Sequence, residues 1–176
     1  MLGLCSKIKF WWGDDRGLAA VEAALIFPVM LTLLLGVFDL GNGILANQKT
    51  IRASQVPADL IARNRSVDAA MVSEAVSAGR LAFEPMSSAG YGYDIVSIRF
   101  DDDANPQIVW RETDGMSQMA NVLADVMPLA EAGNGVLVVG VEYEFRPVFA
   151  GFVIDNIPMQ EIAFARGRKS PVVTYE

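Results

Sequence analysis

Histidine is absent from the 176-residue sequence, and cysteine occurs once, as Cys5. The absence of histidine removes both the commonest general base and the commonest metal ligand. A single cysteine excludes an internal disulfide and a metal site built from clustered thiolates. We therefore expect no metal site of these kinds.

Basic residues are also scarce. Lys and Arg number 14 against 21 Asp and Glu, which gives a net charge of -7. Nucleic-acid binding depends on clustered Lys and Arg, which release counterions from phosphates. An acidic chain without a basic cluster therefore argues against a nucleic-acid partner.

Catalytic motifs are missing as well. The serines have no histidine partner, and no glycine-rich phosphate loop with a lysine occurs. Carboxylates brought together by the fold could still form a catalytic pair, so the pattern argues against an enzyme without excluding one. We expect no catalytic residues, no cofactor and no small-molecule substrate.

Charge is nearly absent from one long stretch. Hydrophobic residues form 52% of the chain, and between Leu18 and Leu40 only Glu22 and Asp39 are charged. A helix over this stretch would rise about 34 Å, enough to cross the roughly 30 Å hydrocarbon core of a bilayer. A buried core helix rarely runs this long without a polar face, and the apolar region of a cleaved signal peptide is shorter. The sequence therefore predicts a transmembrane helix over residues 18–40.

The flanks of this helix predict its orientation. Lys7, Lys9 and Arg16 precede it closely, whereas the nearest basic residues after it are Lys49 and Arg52. The positive-inside rule then places the N-terminus in the cytoplasm and exports the rest of the chain. In a bacterium the exported side of the inner membrane is the periplasm.

The same stretch carries a family resemblance. It reads RGLAAVEAALIFPVMLTLLLGVFDLG from Arg16 to Gly41, and it combines Arg-Gly, small residues, Val-Glu, an apolar run with a proline, and an acidic residue shortly before glycine. This pattern resembles the N-terminal segment of the TadE-like family, the minor pseudopilins of the tight-adherence (Flp) pilus system. Two later stretches are weakly similar to the family, ASQVPADLIAR over residues 53–63 and VEYEFRPVF over residues 141–149.

The resemblance implies a structural role in assembling a type IVb-like adhesion pilus. Pilin-like precursors are cut by a membrane prepilin peptidase after a glycine, which implies a cut between Gly17 and Leu18 and removal of a cytoplasmic leader over residues 1–17. Glu22 would become the fifth residue of the mature chain. The implied partners are the peptidase, other pilin-like subunits, the pilus assembly machinery and the lipid bilayer.

Glu22 has two interpretations. After cleavage the new ammonium of Leu18 and the Glu22 carboxylate would lie four residues apart on one helix face, near the favourable end of the helix dipole. Because an unpaired carboxylate is costly in a membrane or filament core, a cation of a neighbouring subunit would be its partner, and Glu22 would set the subunit register. Alternatively, Glu22 lies at the membrane edge, where its cost is small and no role is needed.

Pro28 interrupts the apolar run and also has two interpretations. It could be a flexible point at which the helix unwinds on leaving the membrane. It could equally be an ordinary kink of a membrane helix, whose freed backbone groups are satisfied by neighbours.

After the span, a helical extension is predicted over residues 41–66. Its large apolar residues recur at a helical spacing, which predicts a core face, and Pro57 should kink or restart the helix. A further helix follows, with Ser66 as its cap and an end before Pro85. The residues of the predicted core face are Ile44, Leu45, Ile51, Val56, Leu60 and Ile61.

In the rest of the chain the spacing of apolar residues changes mainly from helical to alternating. YDIVSIRF, QIVWRET, NGVLVVGVEYEFRPVF and QEIAFARGR read as strands, whereas SQMANVLADVMPL has apolar residues at helical spacing. We therefore predict an α+β fold: a long transmembrane helix continuing into an exported domain over residues 67–176, with an antiparallel sheet of about four strands and one or two packed helices.

An acidic stretch between the first two strands mimics a calcium loop. Asp101, Asp103 and Asn105 alternate, and Glu112 takes the twelfth position of an EF-hand-like series. However, the sixth position is Pro106, where such a loop needs glycine, and the flanks read as strands. A solvated hairpin turn accounts for every residue, so we favour the turn over an ion site.

Two classes of function are left open. One is a pilin-like subunit cleaved after Gly17. The other is an uncleaved single-pass membrane protein whose periplasmic domain binds another envelope component. They differ in whether the bond between Gly17 and Leu18 is a processing site.

Overall fold

The computed structural model describes residues 17–151 and 153–176. The predicted leader, apart from Gly17, and the basic residues before the span lie outside these ranges. The main element is helix α1, Leu18–Ala62, whose 45 residues rise about 68 Å. The predicted span and the predicted extension as far as Ala62, four residues short of its predicted end, form this one helix, which continues through Pro28 and Pro57 without restarting at either.

Helix α2, Ala69–Arg80, is the further helix that the sequence predicts. Its cap is Asp68 and not Ser66, because the Asp68 carboxylate accepts a 2.8 Å hydrogen bond from the amide of Met71. Ser66 lies instead in the short strand β1, Ser66–Val67. A 3₁₀ turn, Leu81–Phe83, follows α2.

Four strands form one antiparallel sheet, which confirms the predicted α+β fold. They are β2, Tyr91–Phe100; β3, Pro106–Asp114; β4, Gly135–Phe145; and β5, Ile157–Ala165, in the order β3-β2-β4-β5. β5 is not the last strand, because β6, Thr174–Tyr175, pairs in parallel with β1. The segment before β6 is held by Ser97 and Trp110, whose side chains both donate to the Val173 carbonyl, at 2.7 and 2.9 Å.

Both faces of the sheet are covered at its centre. Alternate residues of a strand point to opposite faces, so Val139 and Val141 pack on the side of α1 and α2 while Val136 and Val138 face the other way. This second face is covered by the segment predicted as a helix, in which Met119, Val122, Leu123 and Val126 recur at helical spacing. Three of these four residues lie on the covered face. These are Met119, Val122 and Val126, whereas Leu123 is exposed.

Regular helix in that segment is shorter than predicted. Only α3, Val122–Asp125, is α-helical, and a 3₁₀ turn, Met127–Leu129, follows it. Pro128 explains the early end, because it has no amide to donate to the carbonyl four residues before it.

The buried face of α1 differs from the predicted one. Ile44 and Leu45 are exposed, and of the predicted residues only Ile61 is fully buried. The helix instead buries small residues, because short side chains allow close approach to α2 and the sheet. At Gly79 of α2, an added Cβ would lie 2.7 Å from Cγ of Pro57. The other buried residues of this half of α1 are Ala46, Thr50, Ala53, Ser54, Ala58 and Ala62.

Candidate functional site: the apolar helix and its junction with the sheet

The predicted processing residues lie at the free end of α1. Gly17 takes the N-cap position and makes no side-chain cap hydrogen bond. A Cβ added to Gly17 would meet no described atom within 4 Å, and Leu18 is exposed. The backbone at this bond is therefore not covered by any described part of the chain.

Glu22 projects from the first turns of α1. It is exposed, and within residues 17–151 and 153–176 no Lys or Arg forms a salt bridge with it. The described part of the chain thus leaves its carboxylate available to another molecule.

Pro28 lies deeper in the apolar run, inside the helix. Its carbonyl accepts a 2.8 Å hydrogen bond from the hydroxyl of Thr32, one turn further on. This bond satisfies the only hydroxyl of the run within the helix itself, as a membrane segment requires.

The first part of α1 presents an apolar surface to its surroundings. Every residue from Leu18 to Leu34 is exposed, and the helix is long and apolar enough to cross a membrane. The exposed large apolar side chains of the run up to Leu40 are Leu18, Val21, Leu25, Ile26, Phe27, Val29, Met30, Leu31, Leu33, Leu34, Val37, Phe38 and Leu40.

Asp39 joins this apolar run to the sheet. Its side chain is buried, at 6% exposure, and one carboxylate accepts three backbone hydrogen bonds. The amides of Val148 and Phe149 donate across 2.9 Å each, and that of Ala150 across 2.6 Å. The ring of Phe149 also packs edge-on against Phe38, with 5.4 Å between centroids. The junction is thus specified by a charge-assisted cluster of hydrogen bonds and an aromatic pair.

Sequence reasoning treated Asp39 only as part of a family pattern and missed this role. The sequence did contain a signal for this role, because Asp39 is one of only two charged residues in the apolar run. A carboxylate in apolar surroundings needs hydrogen-bond donors. What the sequence does not reveal is that the donors are backbone amides more than 100 residues away.

An open apolar groove of about 650 Å³ runs beside the junction. Its lining comes partly from α1, including Gly36, Asp39 and Gly43, and partly from Phe145 and the residues that follow it in the chain. The surface of the groove is mostly apolar, although Asn47 and Gln48 also line it.

A second buried carboxylate, Asp94, is fully bonded inside the sheet domain. Arg111 donates to it from Nε at 2.9 Å and from Nη2 at 2.5 Å, Thr113 donates from its hydroxyl at 2.7 Å, and Met119 from its amide at 2.8 Å. Burial alone would raise the pKa of Asp94, but these donors outweigh it and hold that pKa below its ordinary value. The cluster ties β2 and β3 to the segment before α3 and leaves no oxygen of the carboxylate without a donor.

The acidic turn between β2 and β3 is organised by Asp101. Its carboxylate accepts from the amides of Asp103 and Asn105, at 3.0 and 2.8 Å. The backbone hydrogen bond from Asn105 contributes most to lowering the pKa of Asp101, and the other donors add to it against the opposing effect of desolvation. This geometry confirms the predicted hairpin turn. Within the described ranges, no group of three or more acidic or thiol side chains is arranged to hold a metal ion.

Comparison with known proteins finds a family match for part of α1 and none for the sheet domain. Residues 17–56 match the family model described as TadE-like protein. No curated protein and no solved structure gives a significant match to the chain. The match covers Gly17, Leu18, Glu22, Pro28 and Asp39, and it ends within α1. The resemblance carried by the motif is therefore confirmed: residues 17–56 of this chain are similar to the TadE-like family.

Proposed function

We propose that this protein is a pilin-like structural subunit, a minor pseudopilin, for assembly of a tight-adherence pilus. The observation that carries the proposal is a coincidence of position. The TadE-like match begins at Gly17, which is the N-cap of α1. The next 17 residues, 18–34, are all exposed although nearly all of them are apolar. Such a helix is the part of a pilin that lies in the membrane before assembly and among other helices afterwards.

The energetics of this surface support a membrane or filament environment. Burying apolar area contributes about 25 cal/mol per Å², so a stretch of large exposed side chains is strongly unfavourable in water. Lipid tails and neighbouring apolar helices remove this cost equally well. A helix that exchanges one for the other suits a subunit that starts in the bacterial inner membrane, with its N-terminus in the cytoplasm and its sheet domain in the periplasm.

Processing completes the proposal. A prepilin peptidase would cut between Gly17 and Leu18 on the cytoplasmic side and leave Glu22 at the fifth position. The exposed carboxylate of Glu22 would then pair with a cation of the next subunit and set the register between them. The proposed role is structural, and the proposed partners are pilin-like subunits, the assembly machinery and the peptidase.

The test is the N-terminal sequence of the protein purified from membranes of a host with an active prepilin peptidase. We expect a mature chain that starts at Leu18. Gly17→Val should block the cut, whereas Gly36→Val is a matched control, because an added Cβ has open space at both positions. A wild-type chain that still starts at Met1 would overturn processing and favour an uncleaved single-pass protein whose periplasmic domain binds another envelope component.

A further inference from the structure

The described part of the connection between β4 and β5, residues 146–151 and 153–156, which is called the β4–β5 loop below, is unusually apolar for a surface loop. No charged residue occurs between Arg146 and Asp155. Val148 is 66% exposed, Val153 74% and Ile154 49%. Exposed apolar side chains gathered in one loop mark a contact surface rather than ordinary solvent-facing chain.

The β4–β5 loop lies where the apolar run of α1 ends. Asp39 binds the loop backbone, and Phe38 packs on Phe149. A Cβ placed on Gly43 would lie 3.5 Å from the ring of Phe145, which precedes the loop. The loop is therefore fixed beside the turn at which the predicted span leaves the bilayer.

The opposite end of the sheet has the opposite character. β4 pairs with β2 in a register that sets Tyr143 beside Tyr91 and Gly135 beside Arg99. The acidic β2–β3 turn, residues 101–105, thus lies at the far end of β4 from the loop. Polarity therefore changes along the sheet, from an apolar end at the span to an acidic end away from it.

Several backbone amides of the loop are hydrogen-bonded within the protein, which suits a poorly hydrated environment. The amides of Val148, Phe149 and Ala150 donate to Asp39. Those of Val153 and Ile154 both donate to the Ala150 carbonyl, at 2.9 and 2.8 Å. Surface loops ordinarily leave such donors to water, and satisfying them internally removes much of the cost of entering a membrane interface.

We propose that the β4–β5 loop inserts its exposed apolar side chains into the headgroup–acyl boundary of the bilayer that α1 spans, on the periplasmic side. The proposal rests on the membrane span of the proposed function. We expect lipid, and not another protein, to contact the loop because Asp39 fixes the loop beside the end of the span. The loop and the end of the span therefore lie at the same depth in the bilayer. Arg146 and Asp155 at the ends of the loop stay among the headgroups and limit the depth of insertion.

The test uses the full chain in phosphatidylcholine vesicles that contain lipids spin-labelled near the headgroup. Cys5→Ser provides a background without cysteine. A fluorophore is then attached at Val153→Cys in the loop, at Leu33→Cys in the span, or at Asp103→Cys in the acidic turn, all of which are exposed positions. We expect lipid quenching at the loop and span positions, several-fold stronger than at the acidic turn.

The outcomes separate the two proposals. Quenching in the span but not in the loop overturns the loop proposal and leaves the membrane anchor intact. No quenching in the span overturns the anchor and the loop proposal together. If the loop fluorophore is shielded from aqueous iodide only at high protein-to-lipid ratios and is not quenched by lipid, a second copy covers the loop, and the lipid proposal is wrong.

A second variant tests the role of the junction. Asp39→Ala removes the acceptor that fixes the loop, so the fluorophore at the loop position should lose most of its lipid quenching while one in the span keeps it. Unchanged quenching at both positions would show that the contact with Asp39 does not determine the depth of the loop in the bilayer.

Discussion

Asp39 and Ala150 are 111 residues apart in the chain, and Oδ2 of the first accepts a 2.6 Å hydrogen bond from the backbone amide of the second. The amides of Val148 and Phe149 complete the contact. The carboxylate at the end of the apolar run therefore has a structural role. It connects the run to the sheet domain at one defined place.

Removal of this carboxylate should release the β4–β5 loop. In Asp39→Ala three amides lose their acceptor, whereas Asp39→Asn keeps one oxygen and so part of the contact. We expect the loop to be cleaved by protease several-fold faster in the alanine variant, with the asparagine variant between it and the wild type. Limited proteolysis of the full chain in detergent, followed by mass mapping of the cut sites, measures this.

Asp102→Asn is the matched control for that series. Asp102 is exposed in the β2–β3 turn, so its substitution should leave loop cleavage at the wild-type rate. Equal cleavage of the wild type and Asp39→Ala would mean that the loop is held by Phe38 and Phe149 alone.

Substitution of Glu22 should separate membrane insertion from assembly. Glu22→Ala makes the span more apolar, so the protein should still be recovered in the membrane fraction, while piliation should be strongly reduced. Glu22→Gln keeps the size and removes the charge, and it should behave like the alanine variant if charge pairing is what matters. Immunoblots of membrane fractions and counts of surface pili provide the two measurements.

Glu74→Ala is the control for Glu22, because Glu74 is an exposed carboxylate on α2. It should change neither insertion nor piliation. Normal piliation in both Glu22 variants would contradict the proposed register contact.

The Asp94 cluster should make stability depend on pH in the acidic range. Burial acts to raise the pKa of Asp94, but the donors of Arg111, Met119 and Thr113 together outweigh it and hold that pKa below its ordinary value of 3.8. The folded state therefore binds fewer protons than the unfolded state near that value. The stabilisation by Asp94 is fully present above pH 3.8 and is lost as the pH falls through the lowered folded pKa.

Asp94→Asn tests this dependence. At pH 7 it should lower the free energy of unfolding by about 3 kcal/mol, because it leaves Arg111 without its charged partner. The gap between variant and wild type should narrow as the pH drops below about 4, in denaturant titrations of the full chain in detergent. Thr113→Ala removes one donor and should cost about 1 kcal/mol at pH 7, which keeps the test usable if Asp94→Asn does not fold. A gap that stays constant from pH 7 to pH 3 would contradict the assignment.

The contact between α1 and α2 should be intolerant of added volume. In Gly79→Ala the new Cβ would lie 2.7 Å from Cγ of Pro57 and 2.8 Å from the carbonyl oxygen of Ala53. Overpacking of this kind should lower the free energy of unfolding by about 2 kcal/mol. Gly41→Ala is the control, since a Cβ there meets nothing within 4 Å and alanine favours helix. Thermal unfolding of both variants measures the difference, and equal stability would show that the two helices can separate at no cost.

Patterns of large apolar residues predicted the elements of this fold well. The long apolar run, with only two charges, predicted the long helix, and alternation of apolar and polar residues predicted the strands, because both signals are local in sequence. The buried face of α1 was predicted wrongly for the same reason. Alanine is only weakly hydrophobic, so Ala46, Ala53 and Ala58 hardly contribute to the periodic pattern of large apolar residues. They are nevertheless buried, and their small side chains allow close packing.

The junction could not be predicted from local patterns. The donors to Asp39 are amides, which every residue except proline possesses, so no residue type at positions 148–150 reveals them. The cluster around Asp94 has the same character. Its partners lie on another strand and in the loop before α3, and only the fold brings them to one carboxylate.

The continuity of α1 gives the molecule the mechanics of a lever. No described break separates the residues up to Leu40 from the part that carries the sheet domain, and that second part extends about 33 Å to Ala62. Membrane helices tilt by about 20° on average, and such a tilt would displace the far end of α1 sideways by roughly 11 Å. A small change of angle inside the membrane would therefore become a large movement of the domain above it, and a lateral force on the domain would act as a torque on the span.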